Sequence, residues 1–108
     1  LDKTQLIRIV TNLIKNANQA SENTKSPIIE VKVASEGNNI KISVSDNGKG
    51  ISDALKDLIF EPKFTTKSSG MGLGLPMIKN IVEAYDGTIS FTSKEGIGTV
   101  FTVIIPKT

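Results

Sequence analysis

The chain has 108 residues with 13 Lys and Arg against 11 Asp and Glu, a formal charge of +2 that bounds it to one domain and gives no basic footprint for nucleic acid. With 38% hydrophobic residues it can build a core, and no apolar run approaches a membrane-spanning length. Cysteine and histidine are absent, which excludes disulfides, Cys/His zinc sites, thiol nucleophiles, Ser-His-Asp triads and a phosphohistidine on this chain.

The beginning, Leu1-Asp2-Lys3, is neither a signal peptide nor an initiator methionine, so residues 1 to 108 read as a single domain excised from a larger protein. Leu6, Val10, Leu13, Ile14 and Ala17 recur at helical spacing and predict a long amphipathic helix over roughly residues 2 to 22. Ser26-Pro27 breaks it. Ile29, Val31 and Val33 alternate with Glu30, Lys32 and Ala34 as in a half-buried strand, Glu36-Gly37-Asn38-Asn39 supplies a turn, and Ile40, Ile42 and Val44 alternate again, predicting a hairpin. Residues 52 to 59 suit a short helix capped by Ser52, and residues 60 to 72 show no periodicity and read as a loop. A second clear helix is predicted over 73 to 85, with Pro76 in its first turn and Asp86-Gly87 ending it. Two further strands, about 88 to 93 and 99 to 105, flank a turn at Lys94-Glu95-Gly96-Ile97-Gly98. The expected fold is a two-layer α/β sandwich, a mixed and largely antiparallel sheet covered on one face by about three helices.

Four segments carry more than structure requires. Asn12 and Asn16 lie four residues apart, about 40° around a helix, and share a stripe that Gln19 extends along the edge of the apolar face. Asparagine is a mediocre helix former, so solvated surface and the wall of a cleft stand as about equal readings of the pair. Neutral carbonyl oxygens suit a hydrated Mg²⁺ whose other ligands are phosphates. In Asp46-Asn47-Gly48-Lys49-Gly50-Ile51 a carboxylate follows a strand, where it could accept a hydrogen bond from an exocyclic amine while Gly48 and Gly50 let backbone approach a flat ring. A hairpin turn fits poorly because helix follows, and a calcium loop fails at Ile51 and Asp57. Phe60-Glu61-Pro62-Lys63-Phe64-Thr65-Thr66-Lys67 places aromatic rings in an irregular stretch, either pinned to the core or part of a lid. Gly70-Met71-Gly72-Leu73-Gly74-Leu75 opens into a helix whose N-H groups could cradle phosphate, although it matches neither the Rossmann nor the Walker pattern.

In this order the four segments, with the closing Gly96-Ile97-Gly98-Thr99, resemble the N, G1, F and G2 boxes of the ATP-binding catalytic domain of bacterial sensor histidine kinases. The match runs nearly end to end, and the phrases Asn-Ala-Asn-Gln-Ala and Phe-Glu-Pro-Lys-Phe-Thr-Thr-Lys look most like the nitrogen-regulatory branch. The resemblance implies ATP and Mg²⁺ as cofactors. It implies Asn16 as metal ligand with Asn12 in support, Asp46 on the adenine amino group, and Gly48 and Gly50 around the base. Thr99 would reach adenine through water, Gly70, Gly72, Gly74 and Leu75 would serve the lid and phosphates, and Phe64 and Lys67 would be further contacts. It also implies a His-bearing dimerisation domain of the same parent and a response regulator as partners, with no nucleic acid and no direct membrane contact. The domain would be cytoplasmic, its parent free or anchored in the inner membrane. Hydrolytic members of the superfamily carry a carboxylate where Asn12 stands, so fast ATP hydrolysis by this chain is not expected. An anti-sigma-type serine kinase with a related pocket is the alternative.

Overall fold

The computed structural model describes residues 3–60 and 71–106, with side chains of 71–74 excluded. Its elements run α1 (Lys3–Ala20), β1 (Ile29–Glu36), β2 (Asn39–Asp46), α2 (Asp53–Lys56), α3 (Met71–Ala84), β3 (Thr88–Lys94) and β4 (Gly98–Pro106). The four strands form one antiparallel sheet in the order β1-β2-β4-β3, two hairpins joined through the central β2–β4 pair. The expected sandwich is present, and among the described residues every strand pairing is antiparallel.

Period-two alternation puts Ile42 and Val44 of β2 and Phe101, Val103 and Ile105 of β4 on one face, where all five are buried. Ile9, Leu13, Ala17 and Ala20 of α1 and Leu75, Ile78 and Val82 of α3 close over them as a single core. The buried stripe of α1 centres on Ile9 rather than on Val10, and the same stripe carries Asn16 inward.

The structure departs from the sequence expectation at four places. β1 is not half-buried: Val31 and Val33 are 41% and 65% exposed, because the helices close over β2 and β4 and leave this edge strand open. Ser52 occupies the N-cap of α2 but makes no side-chain capping bond. The glycine-rich turn is helical from Met71, so Pro76 is the sixth residue of α3 and not in its first turn. Finally, α3 ends in a Schellman arrangement, Gly87 N-H to Val82 C=O at 2.9 Å and Asp86 N-H to Glu83 C=O at 3.0 Å. The left-handed residue there is Asp86, at φ 62°. Gly87 is needed for another reason, since a Cβ would stand 2.6 Å from the Ile104 carbonyl oxygen.

Candidate functional site

Asp46 ends β2 and faces Thr99 near the start of β4 in the antiparallel register. The Asp46 carboxylate accepts the Gly48 N-H at 2.8 Å, a bond that bends the chain sharply as it leaves the strand. Burial pushes the Asp46 carboxyl above the ordinary carboxylate value, against the backbone N-H groups of Gly48 and Thr99, which pull it down. Thr99 is buried, and its hydroxyl lies 2.8 Å from the Ser93 hydroxyl across the β3–β4 hairpin. A cleft of about 310 Å³ is lined by Asp46, Ser93, Thr99 and the backbone around Gly98.

The segment after Asp46 is fastened on both sides. Lys49 N-H donates to the Ala20 carbonyl at 2.9 Å, which satisfies one of the carbonyls left free at the end of α1. Gly96 N-H donates to the Lys49 carbonyl at 2.7 Å, and Ile51 N-H donates to Ser93 Oγ at 2.8 Å. The Asn47 amide accepts from Ile28 N-H at 2.8 Å and donates to the Ser26 carbonyl at 2.9 Å, holding the chain before β1. Gly48 and Gly50 do permit a close approach, but to the chain's own backbone. A Cβ at Gly48 would meet the Ala20 carbonyl oxygen at 2.3 Å, and one at Gly50, which has φ +72°, would meet the Lys94 carbonyl oxygen at 2.3 Å.

The α1 wall carries the amides. Asn16 is 5% exposed, and its Nδ2 has no hydrogen-bond partner among the described residues. A buried amide with a free end is costly unless a ligand completes it. Since an amide presents either its oxygen or its nitrogen on rotation, Asn16 fits a site that holds a cation or a polar ligand. Asn12 is half-buried and donates from Nδ2 back to the Arg8 carbonyl at 2.8 Å, so it is tied to its own helix. Gln19, Ala20, Asn47, Gly48 and Lys49 line a second cleft of about 270 Å³ at the end of this helix. No three acidic side chains gather as a metal nest among the described residues, so a divalent cation here would depend on neutral oxygen and on the ligand's own charges.

Asp46, Thr99, Gly48 and Gly50 therefore come together at one end of the sheet, where the end of α1 meets the loop after Asp46. Leu75 is fully buried in the core on α3, and the backbones of Gly72 and Gly74 lie in the first turn of that helix. Phe64, Lys67 and Gly70, and with them most of the lid expected over 60 to 74, lie outside the described residues. Phe60 is described: it packs edge-on against Phe91 at 6.0 Å between ring centres, with the Lys79 ammonium 5.5 Å from the centre of its ring. Sequence reasoning missed Ser93 and Asn47. Neither has a periodic signal, because a polar residue at a strand end reads as ordinary turn chemistry.

Comparison with known proteins agrees with the fold. The family model described as "Histidine kinase-, DNA gyrase B-, and HSP90-like ATPase" matches residues 1–108. The chain is 45% identical over 105 residues to the sensor histidine kinase ZraS of Escherichia coli K12, covering 97% of this chain and 22% of that protein. It is 39% identical over 107 residues to the C4-dicarboxylate transport sensor protein DctS of Rhodobacter capsulatus, covering 97% of this chain and 16% of that protein. The chain thus spans less than a quarter of these relatives' length. The solved catalytic domain of histidine kinase ThkA superposes with a TM-score of 0.84 at 36% identity, covering 98% of this chain and 68% of that one.

Proposed function

Because the chain belongs to the histidine kinase-, DNA gyrase B- and HSP90-like ATPase family, we propose that it binds ATP with Mg²⁺ and delivers the γ-phosphoryl group to a histidine on a separate dimerisation domain of its parent. The parent would then pass the phosphoryl group to an aspartate of a response regulator. The observation that carries this reading is the half-buried Asp46 carboxylate paired with Thr99. An acceptor in that setting is matched by an exocyclic amine, and no ion pair holds Asp46 among the described residues.

Each residue has a part. Asp46 accepts the amino group of adenine, and Thr99 supplies a second polar contact beside it. Gly48 and Gly50 hold the loop where a larger residue would push it off α1 and the β3–β4 turn. Asn16 offers the buried amide whose oxygen would hold Mg²⁺. When bound, the ion supplies charge neutralisation on the phosphates. Asn12 is an amide bonded to its own helix and cannot take a proton from water, which disfavours hydrolysis. The chain contains no histidine, so the acceptor lies elsewhere. No described helix is long and apolar enough to cross a membrane.

Titration of the chain with ATP and Mg²⁺, followed by addition of the parent's His-bearing domain, tests the reading in two steps. Binding that Asp46→Ala removes, then transfer to histidine, supports it. Binding unchanged by that substitution overturns the pocket assignment.

A further inference from the structure

The hydrogen bonds around Ser93 close in only one way. Its Oγ accepts the Ile51 N-H at 2.8 Å, lies 3.1 Å from the Gly98 carbonyl oxygen, and lies 2.8 Å from Thr99 Oγ1. A carbonyl can only accept, and a serine hydroxyl has one hydrogen and two lone pairs. Satisfying all three contacts therefore requires Ser93 to donate to Gly98 and to receive both Ile51 N-H and the Thr99 hydroxyl hydrogen. The consequence falls on Thr99. With its hydrogen spent on Ser93, Thr99 Oγ1 retains lone pairs alone, and the ionised Asp46 carboxylate opposite it is also an acceptor.

We infer that Ser93 is a specificity-determining positioning residue, which fixes Thr99 as a pure hydrogen-bond acceptor beside Asp46 so that the pair reads a ligand by its donors. The inference rests on the proposed reading of Asp46 and Thr99 as the base site and adds the group that sets its polarity. A 6-amino purine presents a donor to two acceptors, whereas a 6-oxo purine presents a carbonyl oxygen to them. Ser93 touches no ligand in this scheme and acts through Thr99. Its position is secured from the far side as well, since the Lys56 ammonium donates to the Ser93 carbonyl at 2.8 Å. Without the Ser93 oxygen the Thr99 hydroxyl is free to rotate and donate, and the pair no longer distinguishes an amine from a carbonyl.

The experiment is calorimetric titration of the chain with ADP and with inosine diphosphate, which replaces the 6-amino donor by a carbonyl. Wild type should prefer ADP, and Asp46→Ala should weaken ADP binding. Ser93→Ala should narrow the ADP preference about tenfold, a change of ~1.4 kcal/mol in relative affinity, while Ser93→Thr, which keeps the hydroxyl, retains the wild-type ratio. Thr99→Val leaves the Ser93 bonds to Ile51 and Gly98 in place and should narrow the ratio as well, so the inference stays testable if Ser93→Ala does not fold. Equal weakening of both ligands in Ser93→Ala, or an unchanged ratio in Thr99→Val, would make Ser93 a structural joint only and overturn the inference while leaving the base site standing. Wild type that binds neither nucleotide, or Asp46→Ala that binds ADP as well as wild type does, would overturn the underlying reading and the inference with it.

Discussion

The Ala20 carbonyl and the Lys49 N-H meet at 2.9 Å, so the helix that carries Asn16 ends on the loop that follows Asp46. One hydrogen bond thereby sets the spacing between the proposed metal wall and the proposed base wall. Gly48 sits against this junction, and any side chain there must part the two backbones.

Gly48→Ala should destabilise the chain by about 1 to 3 kcal/mol, as overpacking does elsewhere, and weaken nucleotide binding with it. Gly37→Ala is the control: it has φ +60° but nothing within 4 Å of a new Cβ. The control should cost only the backbone strain of about 1 to 2 kcal/mol and leave binding alone. Urea unfolding with nucleotide titration checks both, and nucleotide affinity equal in the two variants would show that the junction does not set the site.

Asp46 should show the stability signature of a buried acid. Its folded pKa is raised, so protonation is easier in the folded than in the unfolded chain. The sign follows: the stabilisation is complete below the ordinary value of 3.8 and is lost as pH rises through the folded value. In the ligand-free chain at neutral pH, Asp46→Asn should raise the melting temperature, and the gain should vanish in acid. Nucleotide binding should move the other way, weakening as pH falls through the raised pKa, because a protonated carboxyl accepts less well. Asp46→Ala should cost about 1 to 3 kcal/mol of binding by leaving a buried amine unpaired.

Asn16→Ala should weaken nucleotide binding in the presence of Mg²⁺ more than in its absence, since one neutral oxygen ligand is removed. Circular dichroism establishes that the variant is folded. A folded variant with unchanged Mg²⁺ dependence would remove Asn16 from the metal site.

Asp86 stands where a Schellman turn favours glycine, at φ 62°. Asp86→Gly should stabilise the chain by about 1 kcal/mol, a rise of several degrees in melting temperature, with no effect on nucleotide affinity. A fall would show that the aspartate side chain compensates its backbone strain.

Much of this fold is legible from periodicity alone. The α1 and α3 stripes and the two hairpins follow from where apolar residues recur, and each observed strand falls within two residues of its predicted bounds. Exposure of Val31 and Val33 is not legible, because alternation tells which residues share a face and not whether a helix lies over it. The early start of α3 is hidden by glycines, whose low helix propensity argues for a turn. Asp46 and Asn16 could be picked out because each is a polar residue in a recognisable setting, whereas Thr99 is implied by the family resemblance alone. Ser93 could not: its hold on Thr99 is directed in part by the Ile51 N-H, 42 residues away in sequence.

The most direct test of the account is phosphoryl transfer. The chain would be incubated with γ-labelled ATP and Mg²⁺, alone and with the His-bearing dimerisation domain of its parent supplied in trans. The account predicts no label on the chain itself, very slow release of free phosphate, and acid-labile label on the histidine of the added domain, at reduced efficiency because linkage no longer raises the local concentration. Rapid ATP hydrolysis by the chain alone, or acid-stable label on an added serine substrate with none on histidine, would contradict it.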